Sequence, residues 1–174
     1  AMPGGRRQGR GRARRPSRSE RHDRARAAGA SASVRRAERG IEIALPERHT
    51  QPETVVAHLG PTNSGKTYHA LQVLKAQGRG VYAGPLRMLA QEAYRRLSGE
   101  LGEECVGLVT GEERINEHAA IICCTVEMAP TRGEVLVLDE VQWADDPERG
   151  SAWTRLLLGG DYRHILLLGA LDAE

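Results

Sequence analysis

The sequence predicts an α/β fold: an open, mostly parallel sheet with helices on both faces, preceded by a disordered basic tail. Three observations lead there. From Thr54 onward, short apolar runs alternate with segments of helical period. The runs are apolar throughout, as in strands covered on both sides, instead of alternating with polar residues. A glycine-rich turn, Gly60 to Gly65, joins the first run to the first helical segment.

Taken in order, Val55–Leu59 reads as a buried strand and Lys66–Gln77 as a helix with Ala70, Leu71, Val73 and Leu74 on one side. Gly80–Ala83 is a second short strand. Leu86, Leu89, Ala90, Ala93 and Leu97 then recur at the spacing of one helix face. Strands are predicted near Cys105–Val109, Ala120–Cys123, Val135–Leu138 and Ile165–Leu168. Before the last of these, Asp146 can cap a helix that starts at Pro147 and leaves through Gly159-Gly160.

The length of 174 residues suits one domain plus a tail. Residues 1–40 carry thirteen Arg against Glu20, Asp23 and Glu38, a local charge of +10, so the rest holds −8 of the overall +2. This stretch has too little apolar surface to offset chain entropy and is expected to be disordered. It reads either as a basic arm for phosphates or as a solvated extension. Residues 41–54, with Pro46 and Pro52, form a connector, and 55–174 the folded lobe. Cys105, Cys123 and Cys124 make no C-x-x-C pair and read as free thiols of a reducing compartment. No apolar run is long enough to span a membrane, and no secretory signal is seen. A cytoplasmic location is expected, with a mitochondrial one as the alternative. His58, His69, His118 and His164 show no ligand spacing.

The chemistry concentrates in two places. Gly60-Pro61-Thr62-Asn63-Ser64-Gly65-Lys66-Thr67 matches G-x-x-x-x-G-K-[ST] between a strand and a helix. Its glycines let backbone amides curl around phosphate oxygens, and the helix start adds partial positive charge. Lys66 would neutralise the outer phosphates and the Thr67 hydroxyl would ligate Mg²⁺. Farther on, Val135–Leu138 ends abruptly in Asp139-Glu140. In a parallel sheet the carboxyl ends of the strands share one edge, so both elements should open on one crevice. Asp139 would then hold Mg²⁺ and Glu140 orient or deprotonate the attacking water. Together the two motifs imply hydrolysis of a nucleoside triphosphate.

GPTNSGKT-YHAL (Gly60–Leu71), GPLRMLAQE (Gly84–Glu92), TGEER (Thr110–Arg114), CTVEM (Cys124–Met128) and DEVQ (Asp139–Gln142) occur in that order. From about Val55 to Gly169 the chain resembles the Suv-type, DExH-related RNA helicases of superfamily 2. The resemblance implies the first RecA-like lobe of such an enzyme, with ATP and Mg²⁺ bound and one nucleic-acid strand contacted. By matching position, Pro85, Leu86, Arg87, Thr110, Gly111, Arg114 and Thr125 would lie along that strand. Thr hydroxyls and loop amides can bond phosphates without reading sequence. Glu112 and Glu113 are expected to orient Arg114 or the loop, and Gln142 to couple ATP state to strand binding. The implied partners are single-stranded or duplex nucleic acid with RNA favoured, a second RecA-like lobe that supplies an arginine, and an exoribonuclease. One departure stands out: the last strand is followed by Gly169-Ala-Leu-Asp-Ala-Glu174, not by the Ser-Ala-Thr of the wider superfamily.

Two other readings compete. Nucleoside kinases of the thymidine-kinase type also pair a G-P-x-x-S-G-K-[ST] loop with Asp-Glu-x-Gln, but carry paired zinc-binding cysteines that this sequence lacks. A non-enzymatic module that only binds nucleotide and nucleic acid is the second. As an isolated helicase lobe, the 174 residues should bind ATP·Mg²⁺ weakly and hydrolyse it slowly.

Overall fold

The computed structural model describes residues 47–61 and 63–170. The expectations for the basic tail, for 41–46 of the connector, for Thr62 and for 171–174 lie outside the described residues.

Seven strands and three α-helices follow one another: β1 (Thr54–Leu59), α1 (Lys66–Gln77), β2 (Gly80–Gly84), α2 (Arg87–Leu101), β3 (Val106–Val109), β4 (Arg114–Ile115), β5 (Ile121–Thr125), β6 (Arg132–Leu138), α3 (Gly150–Gly159) and β7 (Asp161–Gly169). Single 3₁₀ turns, Val126–Met128 and Val141–Asp145, follow β5 and β6. The strand order is β1-β7-β6-β2-β5-β3-β4, parallel throughout except for the antiparallel β3–β4 pair. β4 is too short to show in the apolar pattern, and both its residues are exposed.

The pleat divides the strand side chains between two cores. Tyr82, Val135, Val137, Leu166 and Leu168 pack with Ala70, Leu71 and Leu74 of α1 and Ala90, Ala93 and Leu97 of α2. Val81, Ala83, Leu136, Leu138 and Ile165 pack with Trp153 and Leu156 of α3. The helices thus cover both faces, as the uniformly apolar strands predict. Cys123 and Cys124 fall into opposite cores for the same reason.

Two expectations need correction. β1 is not buried: Val55, Val56 and Leu59 are 55%, 44% and 46% exposed. Among the described residues β1 pairs with β7 alone, so it is an edge strand. Apolar composition cannot reveal edge position, which depends on strand order. The third helix begins at Gly150, not Pro147. Asp146 does act as a cap, its Oδ1 accepting the amides of Glu148 (2.9 Å) and Arg149 (2.8 Å), but the bonds close a turn ahead of the helix. Gly150 can follow it because a Cβ there would lie 2.2 Å from the Ala144 carbonyl oxygen. At the other end, Arg48 donates to the carbonyls of Leu157 (2.6 Å) and Gly160 (3.0 Å). The connector thereby places a cation where the helix leaves its last acceptors open.

Candidate nucleotide-binding site

Six parallel strands bring their carboxyl ends to one edge of the sheet. The loop after β1 is shaped by Asn63 (φ 61°) and Gly65 (φ 81°), both left-handed. That backbone suits glycine and is tolerated by asparagine, so the chain curls before α1 begins. The first helical bond runs from the His69 amide to the Gly65 carbonyl at 3.0 Å. The Lys66 ammonium lies across the loop, donating to the carbonyls of Gly60 (2.8 Å) and Pro61 (2.6 Å) and to the Ser64 hydroxyl (3.2 Å). Behind the loop, His58 meets His69 edge to face at 5.3 Å.

β6 lies two strands from β1, separated from it by β7. Asp139 follows β6 and is buried. Its Oδ2 accepts the Tyr82 hydroxyl at 2.6 Å and its Oδ1 the Glu140 amide at 2.9 Å. Burial raises the Asp139 pKa above the ordinary carboxylate value and the charge of Glu140 adds to this; the two hydrogen bonds and the charge of Lys66 act against it. Burial, then the Asp139 charge, pushes the Tyr82 hydroxyl far up, so it remains a donor. Glu140 sits in the left-handed region at φ 52°, a strained backbone for this residue. Its carboxylate accepts from the Gln142 side-chain amide, whose oxygen accepts the Ala170 amide at 3.2 Å. Gln142 therefore ties Glu140 to the exit of β7.

These pieces meet in one cleft of about 400 Å³ whose walls include Asn63, Ser64, Gly65, Lys66, Thr67, Asp139 and Glu140, with Tyr68, Glu92 and Arg96 farther out. The crevice expected from the two motifs is present. Its donor set fits Mg²⁺: Thr67 and Asp139 offer hard oxygens, and each Asp139 oxygen uses one hydrogen bond and keeps further lone-pair capacity. Among the described residues no cluster of three or more His, Cys, Asp or Glu could hold a metal. A Mg²⁺ site completed by phosphates and water does not require one.

The residues expected along a nucleic-acid strand lie on the neighbouring loops. Leu86, Arg87, Gly111 and Arg114 are exposed, Thr125 is half-buried, and Pro85 is buried. Thr110 is only 2% exposed, and its hydroxyl accepts the amides of Glu112 (3.3 Å) and Glu113 (3.1 Å), so it shapes its own loop and presents no free hydroxyl. Of the two roles expected for the acidic pair, only the one through Arg114 is unmet: Glu112 pairs with Arg87 and Glu113 with Gln91, which ties their loop to α2, while Arg114 pairs with Glu117 at 2.8 Å. Spacing of two residues on a turn does not force contact, and α2 brings the nearer cation. Sequence reading missed Tyr82, although a lone polar-tipped aromatic in GVYAG signals a buried hydroxyl in need of a partner.

Comparison with known proteins agrees with this arrangement. Residues 44–174 match the model of the DEXQ-box helicase domain of Suv3. The chain belongs to the Suv3 helicase family. It is 48% identical over 131 residues to the mitochondrial ATP-dependent RNA helicase SUPV3L1 of Mus musculus, covering 71% of this chain and 17% of that protein. It is 46% identical over 133 residues to the mitochondrial ATP-dependent RNA helicase SUV3 of Saccharomyces cerevisiae, covering 72% and 18%. The chain thus spans less than a fifth of these Suv3 relatives. The Hef helicase domain of Pyrococcus furiosus superposes with a TM-score of 0.53 at 19% identity, over 70% of this chain and 30% of that one. That likeness shows the fold alone, a RecA-like lobe. Membership of the Suv3 family sets the nucleoside-kinase reading aside. No helix among the described residues is long and apolar enough to cross a membrane.

Proposed function

We propose that this chain is the ATP-binding lobe of an ATP-dependent RNA helicase, which hydrolyses ATP with Mg²⁺ to drive strand unwinding when joined to a second lobe. The observation that carries this reading is the single cleft walled by Lys66, Thr67, Asp139 and Glu140.

In this reading the loop amides from Asn63 onward seat the phosphates, and Lys66 exchanges its loop acceptors for phosphate oxygens. Thr67 and Asp139 would hold Mg²⁺, which neutralises charge developing on the transferred phosphoryl group. Glu140 orients the attacking water and accepts its proton. Gln142, bonded to Glu140 and to the exit of β7, is placed to transmit the state of that site. Leu86, Arg87, Gly111, Arg114 and Thr125 line the strand, with the buried Pro85 and Thr110 bracing their loops. Hydrolysis by the lobe alone is slow, because an arginine from a second lobe is worth several kcal/mol, on the order of 10³-fold or more in rate. RNA as substrate and an exoribonuclease as partner rest on family kinship. The relatives are named as mitochondrial, which supports the mitochondrial alternative and gives no support to the cytoplasmic expectation.

The test is a pair of substitutions read by nucleotide binding and single-turnover hydrolysis. Lys66→Ala should abolish binding, whereas Glu140→Gln should bind normally and lose turnover. Normal hydrolysis by both variants would sink the assignment.

A further inference from the structure

Arg149 is absorbed by none of the motifs, yet its guanidinium contacts two loops of the functional edge and two tryptophan rings. Its backbone is fixed by the Asp146 carboxylate, and its side chain leaves the start of α3 toward two loops. Nη2 donates to the Pro85 carbonyl at 2.6 Å, in the loop after β2. Nε donates to Glu127 Oε1 at 2.8 Å, and Nη2 lies 2.7 Å from the same oxygen, in the turn after β5. The guanidinium also lies 5.3 Å from the ring centre of Trp143 and 5.8 Å from that of Trp153. Those rings stack on each other at 6.2 Å. Trp143 follows Gln142 directly, and the indole N–H of Trp153 donates to the Asp139 carbonyl at 3.1 Å.

A continuous path therefore runs from the Asp139 backbone through Trp153 and Arg149 to Pro85 and Glu127. We propose that Arg149 is a positioning residue that couples the nucleotide cleft to the two strand-facing loops, Gly84–Arg87 and Thr125–Glu127. The planar fork suits the task, since it stacks on aromatic faces while donating in two directions at once. A shift of the loop after β6 on nucleotide binding moves Trp143 and Trp153, and Arg149 carries the shift to loops that share no strand with it. The quantity that reports such coupling is the linkage between ligands. The proposal rests on the strand-facing reading of these loops made above.

The experiment titrates the 174-residue chain with single-stranded oligouridylate, with and without a non-hydrolysable ATP analogue and Mg²⁺. In the wild type the nucleotide should change RNA affinity by about fivefold or more. Arg149→Met keeps an apolar stem against the tryptophans and removes the donors. It should bind each ligand alone within about twofold of wild type while the linkage falls toward one. Arg149→Lys, which keeps the charge but cannot donate to both loops, should retain part of it. Linkage undiminished in Arg149→Met overturns the proposal, as does a wild type that binds both ligands without linkage. Were Arg149→Met to lose its cooperative melt, Arg149→Lys decides: reduced linkage supports the relay and intact linkage overturns it. A wild type that does not bind RNA removes the strand-facing reading itself, and the relay with it.

Discussion

The Tyr82 hydroxyl donates to Asp139 Oδ2 at 2.6 Å, and both side chains are buried. The contact is set by the sheet. Tyr82 on β2 stands opposite Val137 on β6, and Asp139 lies two residues beyond Val137 on the same face. Tyr82, itself part of the cleft wall, thus fixes the rotamer of a carboxylate proposed to hold Mg²⁺.

Tyr82→Phe keeps the ring in its core and deletes the donor. The buried carboxylate then loses one of its two hydrogen bonds, which should cost about 1–3 kcal/mol of stability. Supporting groups of this kind alter metal affinity by about 10–100-fold. Thermal melts and Mg²⁺ titration of nucleotide binding check both effects; unchanged Mg²⁺ dependence would show that Asp139 needs no such support.

Asp139→Asn separates function from stability. The folded pKa of Asp139 lies above its unfolded value, mainly through burial. The native state therefore holds the proton more tightly, and stability is greatest below the unfolded pKa and declines as pH rises through the folded one. A neutral amide of the same shape removes that penalty at neutral pH, its oxygen keeping the Glu140 amide and its Nδ2 donating to a Tyr82 hydroxyl that turns to accept. The variant should melt higher than wild type without Mg²⁺, show a flatter melting temperature from the ordinary carboxylate range upward, and lose Mg²⁺-dependent nucleotide binding. A lower melting point at neutral pH would contradict the sign.

The thiols should divide by face and depth. Burial pushes Cys123 up to about 12 and Cys124 higher still, so neither offers thiolate at neutral pH, whereas Cys105 is half-buried. A thiol-specific reagent at neutral pH should label Cys105 first in the native protein and all three after denaturation. Rapid native labelling of Cys123 or Cys124 would mean that the two cores open readily.

Much of this was legible in the sequence, for reasons particular residues make plain. Gly65 is required by its own backbone, and Lys66 and Thr67 follow it by covalent neighbourhood, so the phosphate loop needs no tertiary information. The run Val135–Leu138 identifies its strand, and parallel pairing then places Asp139 and Glu140 at the same edge as the loop. The edge exposure of Val55 and Val56 and the pairing of Arg87 with Glu112 were not legible, because each depends on which elements become neighbours.

By itself the sequence determined the curled strand–loop–helix around Gly65, the acidic pair, and the two-sided burial of the sheet, since each is written in local backbone preference and in apolar period. Only the tertiary structure decided that Tyr82 supports Asp139 across 57 residues of chain and that Arg149 reaches Pro85 across 64. The physical reason is that strand order and helix packing, not spacing along the chain, choose the partners of a buried polar group. No local pattern records that choice.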